Sequence, residues 1–290
     1  MANVTTIYAC TADGLAIFNK PGTLNEWLPP RRVLGGMPVR SVWAEAGPPV
    51  RIVLVQNGQL LVSENGGRAW EQAVAPSPAI ALFRGVGERT IYASLEGGGL
   101  LCSNDGGEAW KAMADLPGNA TGLIKAGDHF YLIASGSLYR GEPESGKWRL
   151  LREEATAAVG FDEVTDRLYG VTPEGILMSE DSGEKWTLLA GSPPDVVALQ
   201  VVPGAAGKPP ALVAGTADGM TISPDGGESW HPTTIEQGVA AFARDPERRD
   251  RLYAGTMEGY IYESGNRGQS WSEVNSVPLS AVAALYIVRI

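Results

Sequence analysis

Carboxylates carry most of the chemistry this sequence could perform. Five stand beside glycine in short turn-like segments: Asp13 in "TADG", Glu96 in "LEGG", Glu174 in "TPEG", Asp218 in "TADG" and Glu258 in "TMEG". Asn57 in "QNG" holds the same kind of place. Two carboxylates facing each other across a cleft can hydrolyse a glycosidic bond. A ring of them can receive basic side chains or a cation. Asp-Gly and Glu-Gly are also ordinary hairpin turns on a solvated rim.

A second set lies in the pattern Ser-x-Asp-x-Gly-x-x-Trp, which occurs five times as "SENGGRAW", "SNDGGEAW", "SEDSGEKW", "SPDGGESW" and "SGNRGQSW". The serines are Ser63, Ser103, Ser179, Ser223 and Ser264. The acidic position is Asp105, Asp181 or Asp225, and becomes Asn65 and Asn266 in the other two. The glycines are Gly67, Gly107, Gly183, Gly227 and Gly268, and the motif closes on Trp70, Trp110, Trp186, Trp230 and Trp271. "NDGGE" and "PDGGE" lack the alternating oxygen ligands of a calcium loop. The motif therefore reads as structural: the side chain accepts backbone N–H groups in a tight turn, glycine permits positive φ, and tryptophan supplies apolar surface. If its ring is fully buried, Trp110→Ala is expected to cost about 3–5 kcal/mol.

Other reactive residues are sparse. His129 and His231 are the only histidines, and no Cys/His cluster has metal spacing, so neither a metal nor a cofactor is expected. Cys10 and Cys102 fall in strand-like runs and read as buried free thiols. A net charge of −10 excludes a phosphate-backbone binder and leaves a basic protein surface as a compatible partner. The start "MANVTTIYACTADG" has neither a basic n-region nor an apolar h-region, and no apolar run would insert in a membrane; a cytoplasmic protein is expected.

The elements that must position these residues come from the repeat. Trp27 and Trp148 extend the tryptophan rhythm, giving successive gaps of 43, 40, 38, 38, 44 and 41 residues. This period, with short β-branched runs and glycine turns, predicts an all-β, seven-bladed β-propeller of four-stranded antiparallel blades, a single domain over residues 1–290. Inner strands are expected at "VRSVWAE", "AIALFRG", "ATGLIKA", "TAAVGFD" (from Thr156), "VVALQVV" and "GVAAFAR". The first repeat starts at a second-strand sequence, and "PLSAVAALYIVRI" at the far end has no blade of its own. Residues 279–288 should therefore join the first blade and close the ring. The turns of the Trp27 and Trp148 repeats, "NKPGTLNEW" and "GEPESGKW", lack the polar residues and are expected to be looser.

The five motifs resemble the Asp-box, or BNR repeat, of sialidases, sortilin-type receptors and photosystem II assembly factors. The resemblance covers nearly the whole chain. It implies a propeller whose motif turns join third and fourth strands, on the rim opposite the usual ligand face. A sialidase-like glycoside hydrolase would also need an arginine triad with a tyrosine/glutamate pair, and the inner strands supply no such cluster. The reading is thus a non-catalytic protein-interaction or assembly scaffold. The alternative is a sialidase-like hydrolase or a glycan-binding propeller. The candidate partner face comprises Asp13, Glu96, Glu174, Asp218 and Glu258 with Arg31 and Arg32, the last two in the inter-blade link "LPPRRVLGGMP" (residues 28–38). "RDPERRDR" (residues 244–251) reads as a solvated mixed-charge turn on the other rim.

Overall fold

A computed structural model describes residues 4–289 except 25, 48–49, 114, 154–156 and 205–207. Thr156, where the inner strand "TAAVGFD" is expected to begin, lies outside the described residues. The rest forms seven four-stranded antiparallel sheets. Each innermost strand packs beside that of the next sheet, from Val39–Glu45 round to Val239–Arg244 and Val282–Arg289 and back. The chain is a seven-bladed β-propeller.

The ring closes as the sequence required. Val282–Arg289 pairs antiparallel with Val4–Thr11, with Thr5 opposite Arg289 and Tyr8 opposite Tyr286. The first blade is thus built from both ends of the chain, and neither end leaves an unpaired inner edge.

Second strands such as Arg51–Gln56, Ile91–Leu95 and Leu252–Thr256 are buried along their whole length, because a neighbouring blade covers each face. The core accordingly lies between blades. At the seam, Ile7, Phe18 and Ile287 of the first blade pack with Tyr253 and Ile261 of the seventh. Trp27 meets Tyr253 edge to face, with centroids 6.0 Å apart.

Inner strands hold a feature the sequence did not announce. Five of them carry one extra residue near their start, at Arg40, Ile80, Thr121, Ala240 and Ala283. Such a bulge sharpens the local twist of the strand.

Two expectations need correction. Residues 28–38 are not wholly a link: Arg31–Val33 form the outer strand of the first blade, paired with Gly14–Pro21. The fourth blade's turn is not loose. Ser137–Glu142 and Lys147–Arg152 pair up to the Glu142–Lys147 end, and Gly146 N–H bonds the Glu142 carbonyl at 3.1 Å. Lacking the motif, this hairpin continues as a ladder with one bulge at Leu151 and gives a six-residue outer strand. The motif tryptophans are half-buried, so the cost set for a fully buried ring does not apply to them.

Candidate interaction face

Strands alternate in direction, so the turns of each blade divide between two rims. Turns from first to second and from third to fourth strand lie on one rim. Second-to-third turns and blade-to-blade links lie on the other.

The five serine motifs all occupy the first rim, and their hydrogen bonds repeat. Each serine hydroxyl donates to the Asp or Asn Oδ1 two residues on, at 2.7–3.0 Å. The same hydroxyl accepts the N–H of the motif glycine at 2.7–2.9 Å. That Oδ1 then accepts an N–H four residues on, at 2.8–3.1 Å. Asn65 and Asn266 perform this as well as the aspartates do, so the role needs an acceptor oxygen and not a charge. Backbone groups already occupy that oxygen, which leaves these carboxylates poorly placed as acids or ligands. Burial alone would raise Asp225, but bonds from Ser229 and Ser223 prevail and hold it at about 2. Asp105 is lowered in the same way, against burial, by Ser103 and backbone N–H groups. Asp181 is lowered chiefly by the Lys185 N–H.

The motif glycines are a close-packing requirement. Gly107 has φ of 89°, and a Cβ there would lie 2.7 Å from Val53 Cγ2 of the preceding blade. In two motifs the residue before the glycine is also left-handed without being glycine: Ser182 at 57° and Arg267 at 61°.

The second rim is chemically different. Asp13, Glu96, Glu174, Asp218 and Glu258 occupy equivalent second-to-third turns in five blades, and all are exposed. Asn57 takes the place in the second blade and the Ser135–Gly136 pair in the fourth. The links add Asp115, Glu153, Asp195 and Glu236, also exposed. These turns and links contain no lysine, arginine or histidine. Among the described residues, none of the nine carboxylates joins an ion pair. Exposed Met37, Val197 and Met257 stand on the same rim. One of the nine is held by the local backbone. Asp13 Oδ1 accepts the Gly36 N–H at 2.6 Å, which ties the first turn to the link at residues 34–38.

The two arginines part company. Arg32 shares a small cleft with Asp13, Leu279 and Ser280 on the acidic side. Arg31 turns to the motif rim, where its guanidinium donates to the carbonyls of Gly66 and Gly67 in the next blade. On that rim, Asp245 and Arg251 of the "RDPERRDR" turn are held in ion pairs with Arg289 and Glu263, so the segment is not simply solvated. Cys10 and Cys102 are free and buried. Burial pushes both thiols up. Among the described residues, no three His, Cys, Asp or Glu side chains gather as metal ligands. Among them, too, no helix is long and apolar enough to cross a membrane.

No protein-family model matches the chain, and no curated protein does. Solved structures do. YCF48 from Cyanidioschyzon merolae superposes with a TM-score of 0.61 at 17% identity, covering 87% of this chain and 94% of that one. YCF48 bound to D1 peptide gives 0.59 at 17% identity, with 84% of each chain covered. A Bacteroides uniformis protein, whose name proposes a 6-phosphogluconolactonase, gives 0.63 at 13% identity, covering 99% and 100%. Neighbours this diverse and this distant in sequence establish the propeller fold.

Proposed function

We propose that the protein is a non-catalytic, cytoplasmic Asp-box propeller that acts as an interaction scaffold, with its acidic rim docking a basic segment of a protein partner. One observation carries the reading: among the described residues, the turns and links of one rim hold nine exposed carboxylates with no ion pair and no basic residue of their own, and Arg32 of the adjoining outer strand reaches them beside Asp13. Unpaired like charges on a rigid ring raise the local concentration of a cationic partner and steer its approach. Met37, Val197 and Met257 add apolar contact points inside the charged field. YCF48 bound to D1 peptide offers a precedent for a propeller of this shape holding a peptide, by analogy of fold.

The test is a titration by fluorescence anisotropy with a short labelled peptide of alternating lysine and leucine, beside its glutamate–leucine counterpart. The lysine peptide should bind saturably, and its affinity should fall steeply between low and physiological salt. Equal binding of both peptides, or binding of neither, overturns the reading.

A further inference from the structure

Away from the acidic rim, ring closure brings four basic residues together. At the seam between the first and seventh blades, Lys20, Arg248, Arg251 and Arg289 line one cleft of about 180 Å³, with Thr5 at its wall. Thr5 and Arg289 are opposite partners in the closing strand pair, so the cleft exists only because the chain's two ends meet.

Two carboxylates neutralise part of this charge. Glu263 is shared: Lys20 Nζ reaches its Oε2 at 3.2 Å, Arg251 binds its Oε1, and Trp27 Nε1 donates to Oε2 at 2.9 Å. Asp245, fully buried, takes Arg289 through bonds of 2.6–2.9 Å. Glu247 lies 3.8 Å from Arg289 and is mostly exposed. Arg248 has no ion pair among the described residues. Four cations thus face two buried carboxylates and the exposed Glu247, which leaves a net positive charge at this spot in a chain of net charge −10. The Glu263 and Asp245 bonds also fix Lys20, Arg251 and Arg289 before any ligand arrives, and guanidinium and ammonium groups retain further donors in different directions.

The geometry points to a binding site for a tetrahedral oxyanion at this seam, either a free ion such as phosphate or the phosphoryl group of a small organic molecule. The volume admits one such group with a few waters. Guanidinium forks match its oxygens. A ligand here would touch the second strand, the closing strand and the seventh blade's first turn, and so would fasten the ring at its joint. The inference is independent of the acidic-rim reading, since site and ligand charge both differ.

Calorimetric titration at constant ionic strength with inorganic phosphate, and separately with phenyl phosphate, tests it. One equivalent of phosphate should bind saturably and raise the melting temperature by about 2 °C or more at saturation. Phenyl phosphate binding more tightly than phosphate would assign the site to phosphoryl groups, and the reverse order to the free ion. Arg248→Gln, at an exposed side chain with no ion pair among the described residues, should keep the fold in chloride buffer and weaken binding about 10-fold. Arg68→Gln, on another blade of the same rim, should bind as the parent does. No saturable binding of either ligand, or equal weakening by both substitutions, overturns the proposal.

Discussion

The two rims of the propeller solve opposite problems with the same residue types. On the motif rim, carboxylates and amides are consumed by the backbone: Asp105, Asp181 and Asp225 spend their oxygens on N–H groups within four residues. Charges that remain there tend to pair, as Arg149 and Arg140 do with Glu184. On the other rim, Glu96, Glu174, Asp218 and Glu258 stand at equally tight turns, yet in three of these blades the threonine before the turn does local work, Thr172 by donating to the Gly175 carbonyl at 3.1 Å. Thr216 Oγ1 accepts the Asp218 N–H at 3.3 Å, and Thr256 Oγ1 accepts the Tyr260 N–H at 2.9 Å. An acidic side chain is therefore no measure of function by itself. What separates the rims is whether the backbone has already claimed its oxygens.

Both rims hang on the closed ring, so the largest effect is expected from removing residues 282–289. The inner edge of Val4–Thr11 would then lie open, and the truncated chain should lose its cooperative thermal transition and aggregate. A melting curve like that of the full chain would break the account of closure.

Next come substitutions confined to the motif rim. Trp110→Ala should cost about 2–3 kcal/mol by denaturant unfolding, less than a fully buried ring would, since part of it faces solvent. Ser103→Ala removes a buried hydroxyl that links Asp105 to Gly107, and should cost about 1–2 kcal/mol. Glu258→Gln on the acidic rim should change stability by less than ~0.5 kcal/mol. A large destabilisation by Glu258→Gln would erase the contrast.

Acid sharpens it further. Asp225 sits at about 2 in the folded chain, below the ~3.9 of an unfolded aspartate. A depressed folded value adds stability that is complete above about pH 4 and is lost as pH falls toward 2. The same direction holds for Asp105 and Asp181. Replacing all three by asparagine, as nature does at Asn65 and Asn266, should leave the fold intact at pH 7 and flatten the loss between pH 4 and 2. An unchanged acid limb in unfolding curves would contradict the hydrogen-bond account.

The smallest effect is expected at Ser182, which occupies a left-handed conformation where three of the other four motifs have glycine. Ser182→Gly should stabilise by about 0.5 kcal/mol, the steric relief slightly exceeding the added freedom of the unfolded chain. A clear loss of stability would mean that the serine side chain does more than the turn requires.

Much of this was legible in the sequence, for a physical reason. The tryptophan spacing and the short β-branched runs between glycine turns are local signals repeated around the ring, and they set blade number, strand order and closure. The motif's role was legible because Ser, Asx and Gly act within five residues of one another. Arg31 was not, because its partners, Gly66 and Gly67, belong to the next blade. The acidic rim was half-visible: five turn carboxylates could be aligned, but Asp115, Glu153, Asp195 and Glu236 joined them only once the links were placed. The seam cluster was invisible, since Lys20 and Arg289 lie at opposite ends of the chain. The signal that could have found it was closure itself, which sets the end of the last strand beside the start of the first.

Docking at the proposed acidic rim requires that position, and not net charge, attracts the peptide. Two variants with the same change in net charge decide it. One carries Glu96→Gln, Glu174→Gln, Asp218→Asn and Glu258→Gln on the acidic rim. The other carries Glu64→Gln, Glu144→Gln, Glu180→Gln and Glu228→Gln on the motif rim. Titrated with the same labelled lysine–leucine peptide at physiological salt, the first should lose about 10-fold or more in affinity and the second should bind nearly as the parent does. Equal losses in both would show that the peptide senses only the overall charge and does not dock on the acidic rim.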